Sequence, residues 1–369
     1  MARIREKNII KSNLSSSLKN GDVIISIKDL EVQFSVRQHL LTAIRNVSLD
    51  IYKGETLAIV GESGSGKSVF TKCLVGMLDQ NGSVTNGSID YNGVDLAKFK
   101  NNIEWRQIRG KRISMIFQDP MTSLNPLRRI GSQITEVIRL HRGMNKAEAK
   151  KEAIKLLERV GINDAEQRFR DYPFQYSGGM RQRVVIAIAL ACAPDILICD
   201  EPTTALDVTI QAQILALINE LKEEYGFTVI FITHDLGVVA EIAERVAVMY
   251  AGQIVEIGTA NDIYYDPRHP YTWALLSSLP QLGQKGENLY SIAGTPPSLF
   301  DKVVGDAFAP RNLHAMKIDF VKEPPMFKIS DTHFAKTWLL DPRAPKTERP
   351  EIVGQISERV AKIYSGGSK

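Results

Sequence analysis

The tightest constraint on this chain is the run Gly61-Glu62-Ser63-Gly64-Ser65-Gly66-Lys67-Ser68, which follows the apolar stretch Thr56-Leu57-Ala58-Ile59-Val60 and opens what reads as a helix from near Lys67. It satisfies G-x-x-x-x-G-K-[ST] in the strand-to-helix context that gives the pattern meaning. Glycines let a backbone curl tightly enough to aim several N–H groups at one point. The helix start adds the positive end of its dipole. Lys67 brings a full positive charge to the β- and γ-phosphates, and Ser68 brings a hydroxyl to a magnesium ion. The expected ligand is therefore MgATP, and the strand–loop–helix order is the opening unit of an α/β fold.

The remaining pattern agrees. Residues 1–22 read as a tail. Ile25, Ile27, Leu30, Val32 and Phe34, then Ile44, Val47, Leu49 and Ile51, make a strand-rich start. Residues of about 120–192 read as helical: Asn145 can cap a helix running to about Val160 with Gly161 as its stop, and a second helix runs from Ser177 to before Pro194. Strands are expected at Ile196–Cys199 and Val229–Thr233, around an amphipathic helix at Thr209–Tyr225, which is a parallel-sheet rhythm. Beyond about 265 prolines accumulate and periodicity fades until Glu351–Tyr364, where Ile352, Ile356, Val360 and Ile363 share a helical face. A small accessory domain is expected there.

Two further segments carry chemistry. Ile196-Leu197-Ile198-Cys199 delivers Asp200 and Glu201 to a strand's C-terminal end, the edge at which open α/β sheets bind ligands. Asp200 suits the outer shell of Mg²⁺, and Glu201 is placed to orient and polarise water. Ser177-Gly178-Gly179-Met180-Arg181-Gln182-Arg183 puts a hydroxyl and bare backbone N–H groups at a helix start. Alone this is an ordinary helix cap. In a chain that already has a phosphate loop, it is a second anion site that needs a reason.

These motifs, in this order, resemble the nucleotide-binding subunits of ABC transporters. The resemblance implies a P-loop ABC ATPase core: a parallel sheet with helices, an N-terminal antiparallel β part and a helical subdomain. It also explains the second anion site, because in the family two such domains pair head to tail and each ATP lies between the loop of one and the Ser-Gly-Gly segment of the other. By the same resemblance Gln118 senses Mg²⁺ and the γ-phosphate, Ala205-Leu206-Asp207 joins the two sites, His234 contacts the γ-phosphate, and Phe34 stacks on adenine.

A narrower likeness points to oligopeptide and dipeptide importers. It lies in Phe117-Gln118-Asp119-Pro120-Met121-Thr122-Ser123-Leu124-Asn125-Pro126, in His269-Pro270-Tyr271-Thr272-Trp273-Ala274-Leu275-Leu276, and in Ile292-Ala293-Gly294-Thr295-Pro296-Pro297-Ser298-Leu299. The resemblance covers about residues 23 to 340. It implies an ATPase core over 23–264 and an importer-type C-terminal extension over 265–369. It also implies a second, related ATPase chain as partner, two transmembrane permease subunits and, indirectly, an extracytoplasmic peptide-binding protein. Importers of nickel or of a modified sugar share the scaffold, and a soluble non-transport ABC ATPase is the reading from another class. There are two departures. Met180 replaces the general signature's glutamine, as peptide importers commonly allow. Where many relatives carry four cluster-binding cysteines, this chain has Asp306, Asn312, Asp319 and Thr337, so no iron–sulfur cluster is expected.

Composition limits the remainder. The longest apolar run, Val184–Ala193, is ten residues, and a spanning helix needs roughly 20. No run in the first 22 residues suits a signal peptide. Transport would thus need a membrane-embedded partner, with this chain at the cytoplasmic face. The net charge of +4 sits in residues 1–20, and the rest balances at 41 basic and 41 acidic residues, which argues against nucleic acid. Cys73, Cys192 and Cys199 sit in apolar sequence without ligand spacing and read as core thiols.

Overall fold

The structure, a computed structural model, describes residues 22–37, 39–204, 206–279, 292–298, 300 and 303–355. Residues 1–21 of the basic tail lie outside them, as do Ala205 and the Ile356, Val360 and Ile363 of the expected last helix, which is described for Glu351–Gly354.

The start of the chain forms a small antiparallel sheet. Strands β1 (Val23–Val36) and β2 (His39–Tyr52) pair along their length, and β4 (Gly82–Tyr91) and β5 (Val94–Asp95) complete the order β2-β1-β4-β5. Its buried residues, among them Ile25, Ile27, Val32, Ile44 and Ile51, pack against Leu57, Ile59, Ile198 and Ile232 of the larger sheet.

The larger sheet has eight strands. Its parallel part comprises β3 (Thr56–Val60), β6 (Ile113–Ile116), β7 (Ile196–Asp200), β8 (Thr228–Thr233) and β9 (Arg245–Tyr250), in the order β9-β3-β8-β7-β6. Strands β3, β7, β8 and β9 are buried at every position. That is why they read as unbroken apolar runs and not as alternating ones. Strand β10 (Gln253–Thr259) joins antiparallel to β9.

Helix α1 (Lys67–Leu74) follows β3, and α2 (Asn102–Arg106) precedes β6. A helical layer follows: α3 (Pro120–Ser123), α4 (Ile130–Arg142), α5 (Lys146–Arg159), α6 (Ala165–Arg168) and α7 (Gly178–Leu190). Ile130, Ile134 and Ile138 of α4 pack with Ala149, Ala153 and Leu157 of α5 and with Val184 and Ile186 of α7. Asn145 starts α5 with a capping box. Its Oδ1 accepts from the N–H groups of Ala147 and Glu148, and Glu148 Oε2 accepts the N–H of Asn145. Such a cap stabilises a helix by about 1 kcal/mol. Helix α8 (Val208–Tyr225) joins β7 to β8, and α9 (Leu236–Ile242) joins β8 to β9.

The C-terminal region is welded to this core. Helices α10 (Ala260–Tyr265) and α11 (Pro270–Ser277) follow β10, and α12 (Glu351–Gly354) packs on α11. Two short strands, β11 (Phe327–Lys328) and β12 (Phe334–Ala335), extend the large sheet, with Ala335 opposite Glu256. Tyr250 of β9, Tyr271 of α11 and Phe308 form a buried trio with ring centroids 4.6, 5.2 and 5.3 Å apart. Aromatic pairs of this kind contribute about 0.5–1.5 kcal/mol beyond their burial.

Candidate nucleotide site

Adjacency in the sheet builds the site. Strands β3, β8, β7 and β6 are consecutive neighbours and run parallel, so their C-terminal ends share one edge. Val60 lies opposite Thr233, Asp200 opposite Ile232, and Cys199 opposite Ile116. The chain therefore presents the loop after Val60, His234, the Asp200–Glu201 pair and Gln118 side by side.

The loop is curled as its glycines require. Gly64 and Gly66 have φ of 80° and 106°, and a Cβ on Gly61 would lie 2.1 Å from the Met249 carbonyl oxygen. The backbone N–H groups of Ser63, Gly64, Gly66, Lys67 and Ser68 have no protein acceptor among the described residues. Five donors aimed from one turn at a helix start form an anion cradle. Lys67 crosses it, only 5% exposed, with Nζ 2.7 Å from the Gly61 carbonyl oxygen and 2.9 Å from that of Glu62. Burial pulls the Lys67 ammonium below the ordinary lysine range, against the opposing pull of Glu201, Asp200 and Glu62.

Ser68 Oγ donates to Asp200 Oδ1 at 3.1 Å. Burial raises the Asp200 carboxyl above the usual carboxylate range, with the Ser68 hydrogen bond acting against it and the Glu201 charge adding to it. Glu201 is wired into the edge by three groups. Its Oε2 accepts from Gln118 Nε2 at 2.9 Å and from Thr204 Oγ1 at 3.2 Å, and its Oε1 lies 3.1 Å from His234 Nδ1. Its backbone adopts φ 47°, a left-handed conformation that is uncommon for a non-glycine residue and tends to occur at functional sites. Thr204 was invisible as a site residue in the sequence; its place three residues beyond Glu201 in the turn after β7 is the signal for it.

Ser177, Gly178 and Gly179 stand elsewhere. Ser177 caps α7, its Oγ accepting from the Met180 N–H, and the tip is open to solvent. It rests on the start of α8: a Cβ on Gly179 would lie 2.8 Å from Ile210 Cγ2, and Asp207, also exposed, caps α8 by accepting from the Ile210 N–H at 2.9 Å. No hydrogen bond or ion pair among the described residues joins this tip to the loop of the same chain. Phe34 is half-buried in β1, with its ring over Gly82.

The oxygen donors fit a hard cation. Ser68 and Asp200 offer neighbouring oxygens, and Mg²⁺ is ordinarily held by one or two side chains plus substrate phosphates. Among the described residues no group of three or more His, Cys, Asp or Glu side chains is placed to hold a metal alone. An iron–sulfur cluster does not fit the extension. Asp306, Asn312, Asp319 and Thr337 are all buried, and their oxygens accept the N–H groups of Phe308, His314, Met316 and Leu339, respectively. Oxygen acceptors satisfied by turns replace the thiolates a cluster needs.

Known proteins resemble this chain over most of its length. The ABC transporter family matches residues 44–204, and the family described as "Oligopeptide/dipeptide transporter, C-terminal region" matches residues 255–318. The oligopeptide transport ATP-binding protein AmiE of Streptococcus pneumoniae is 61% identical over 93% of this chain and 96% of its own length. The oligopeptide transport ATP-binding protein OppD of Bacillus subtilis is 55% identical over 92% and 96%. Among solved structures, the dimeric ATP-binding cassette MJ0796 in a post-hydrolysis state with ADP and Pi superposes with a TM-score of 0.57 at 30% identity, covering 64% of this chain and 98% of that one. No helix among the described residues is long and apolar enough to cross a membrane. The chain belongs to the ATP-binding, ATP-hydrolysing subunits of ABC transporters of the oligopeptide and dipeptide class.

Proposed function

We propose that the chain drives uptake of oligopeptides or dipeptides from the cytoplasmic face of the cell membrane. Its partners in this reading are a related, non-identical ATPase, two transmembrane permease subunits and, through them, an extracytoplasmic peptide-binding protein, with no role for nucleic acid. The likeness of residues 255–318 to the peptide-transporter C-terminal region supports peptide as the solute. Residues 1–22 serve as a basic tail, 23–264 as the motor and 265–369 as the extension.

The observation that carries the mechanism is the Gln118–Glu201–His234 array beside the loop. The five free N–H groups and Lys67 take the ATP phosphates, and Ser68, Gln118 and Asp200 would hold Mg²⁺, which would supply positive charge against the phosphate anion. Glu201, held from both sides, orients and polarises a water for in-line attack. His234 and Gln118 fix Glu201 and meet the γ-phosphate, and Phe34 offers a face to adenine. The exposed Ser177–Gly179 tip, with Asp207 behind it, completes the opposite half-site on the partner ATPase, so bound ATP bridges two chains and cleavage releases them. Closure excludes water, which strengthens every contact to the developing charge.

The test is reconstitution with the permeases. ATP-dependent uptake of labelled peptide is expected, together with co-purification of a second, different ATPase. Uptake of nickel or a sugar without peptide would overturn the solute, and an exclusive homodimer would overturn the pairing. Purified protein should contain no iron; iron at the level of a cluster per chain would refute the reading of the four replaced positions.

A further inference from the structure

The phosphate loop carries one acidic side chain of its own, Glu62, which acts on Lys67 through charge. Among the described residues its direct ion pair comes from the C-terminal region. Arg311 Nη1 lies 2.6 Å from Glu62 Oε2 and Nη2 lies 3.0 Å from Oε1, a two-pronged ion pair across 249 residues of sequence. The Arg311 side chain is only 4% exposed. Its other donors are satisfied locally: Nε by the Ala293 carbonyl at 3.0 Å, Nη2 also by that of Ile292 at 3.4 Å, and Nη1 also by Tyr250 Oη at 3.3 Å. The backbone at the same position is held too, because the Glu62 N–H donates to Tyr271 Oη at 2.7 Å. Tyr271 and Tyr250 belong to the buried aromatic trio, so the arginine rests on packed rings.

A polyphosphate in the cradle is repelled by any uncompensated carboxylate nearby, and that repulsion is strong where water is excluded. A guanidinium that never loses its charge and grips both carboxylate oxygens cancels that repulsion and fixes where the carboxylate points. We propose that Arg311 is a positioning residue for nucleotide binding: the C-terminal extension reaches back to neutralise and hold Glu62, so that the loop meets ATP with its positive groups unopposed. The extension and the cradle are then thermodynamically linked, each steadying the other. The inference rests on residues 61–68 being the ATP site.

The experiment measures KM for ATP and kcat in the assembled transporter. Arg311→Ala is expected to raise KM about tenfold, with kcat changed by less than about threefold. Glu62→Gln in that background is expected to return KM to within about threefold of wild type, since the repelling carboxylate is gone. A merely structural arginine would lower apparent kcat or the yield with KM little changed, and Glu62→Gln would rescue neither. Should Arg311→Ala fail to assemble, Arg311→Lys keeps the charge and loses the two-pronged grip. Its KM is expected to rise about threefold and to be restored by Glu62→Gln. An unchanged KM in the alanine variant, or in the lysine variant where that replaces it, or a raised KM that Glu62→Gln does not restore, overturns the proposal. Lys67→Ala is the control: if it binds ATP normally, the reading of the loop fails and not the role of Arg311.

Discussion

The strand edge and the Ser177 tip, the two anion sites of the proposed mechanism, both sit at helix starts, yet they are built oppositely. At the edge, Lys67 and Asp200 are buried and Glu201 is tied to Gln118, Thr204 and His234 within one chain. At the tip, Ser177 and Gly178 face solvent, and Ser177 Oγ accepts the Met180 N–H of its own helix. A site organised inside one chain can bind nucleotide alone. A tip supported from behind and empty in front needs a ligand brought by something else. The difference separates binding from turnover.

The largest effect that could break this contrast is at Glu201. Glu201→Gln in the assembled transporter should cut phosphate release by about 10²–10⁴-fold while ATP still binds; turnover at the wild-type rate would remove Glu201 from the chemistry. Lys67→Ala should come next, weakening ATP affinity of the isolated chain by about 100-fold, because it deletes a buried cation that faces the phosphates. Equilibrium titration with a fluorescent ATP analogue reads it directly. Ser177→Arg probes the other side. Its effect should appear only on assembly, as a turnover loss of about tenfold or more, with the isolated chain's ATP affinity within about twofold of wild type. An affinity loss in the isolated chain would mean that the tip folds onto its own loop.

The smallest effect concerns Asp200. Its carboxyl is raised by burial, so on acidification it picks up a proton at a higher pH than an exposed aspartate does. Mg²⁺-dependent ATP affinity should therefore begin to fall above the ordinary carboxylate range, and Asp200→Asn should remove that step. The sign for stability is opposite to that of a salt-bridged acid. A raised folded-state value means the folded chain binds the proton more tightly than the unfolded one, so this group's stabilising contribution is lost as pH rises through the folded value. Asp200→Asn should then raise the melting temperature of nucleotide-free protein at neutral pH. Ser177→Arg keeps Asp200 and should leave that pH step in place.

What could be read from the chain follows from where the constraints act. Strands β3, β7 and β8 are buried on both faces and the loop motif is contiguous, so both declare themselves locally. Asn145, Gly161 and Ser177 mark helix ends through their own backbone needs. Strand β4 hides because only Ile89 and Tyr91 of it are buried among exposed polar residues. Strands β11 and β12 hide because two residues carry no period. The Glu201 array was expected from the family's order of motifs, but its wiring through Thr204 depends on a turn. The Glu62–Arg311 pair belongs to tertiary structure alone. The four positions without cysteine read as a loss; the structure adds that their oxygens cap turns, which a one-dimensional pattern does not contain.

The two short strands of the C-terminal region have a consequence for how this subunit finds its companions. Strand β10 would otherwise present a bare row of main-chain donors and acceptors, a template onto which any extended segment could add. The hairpin of β11 and β12 occupies that flank, and the outermost strand it leaves is two residues long and carries Lys328, a blunt and charged border. A chain cut ahead of Phe327 would expose the flank and invite indiscriminate stacking. The region that steadies the phosphate loop thus also keeps a subunit destined for a multi-chain machine from joining the wrong neighbours.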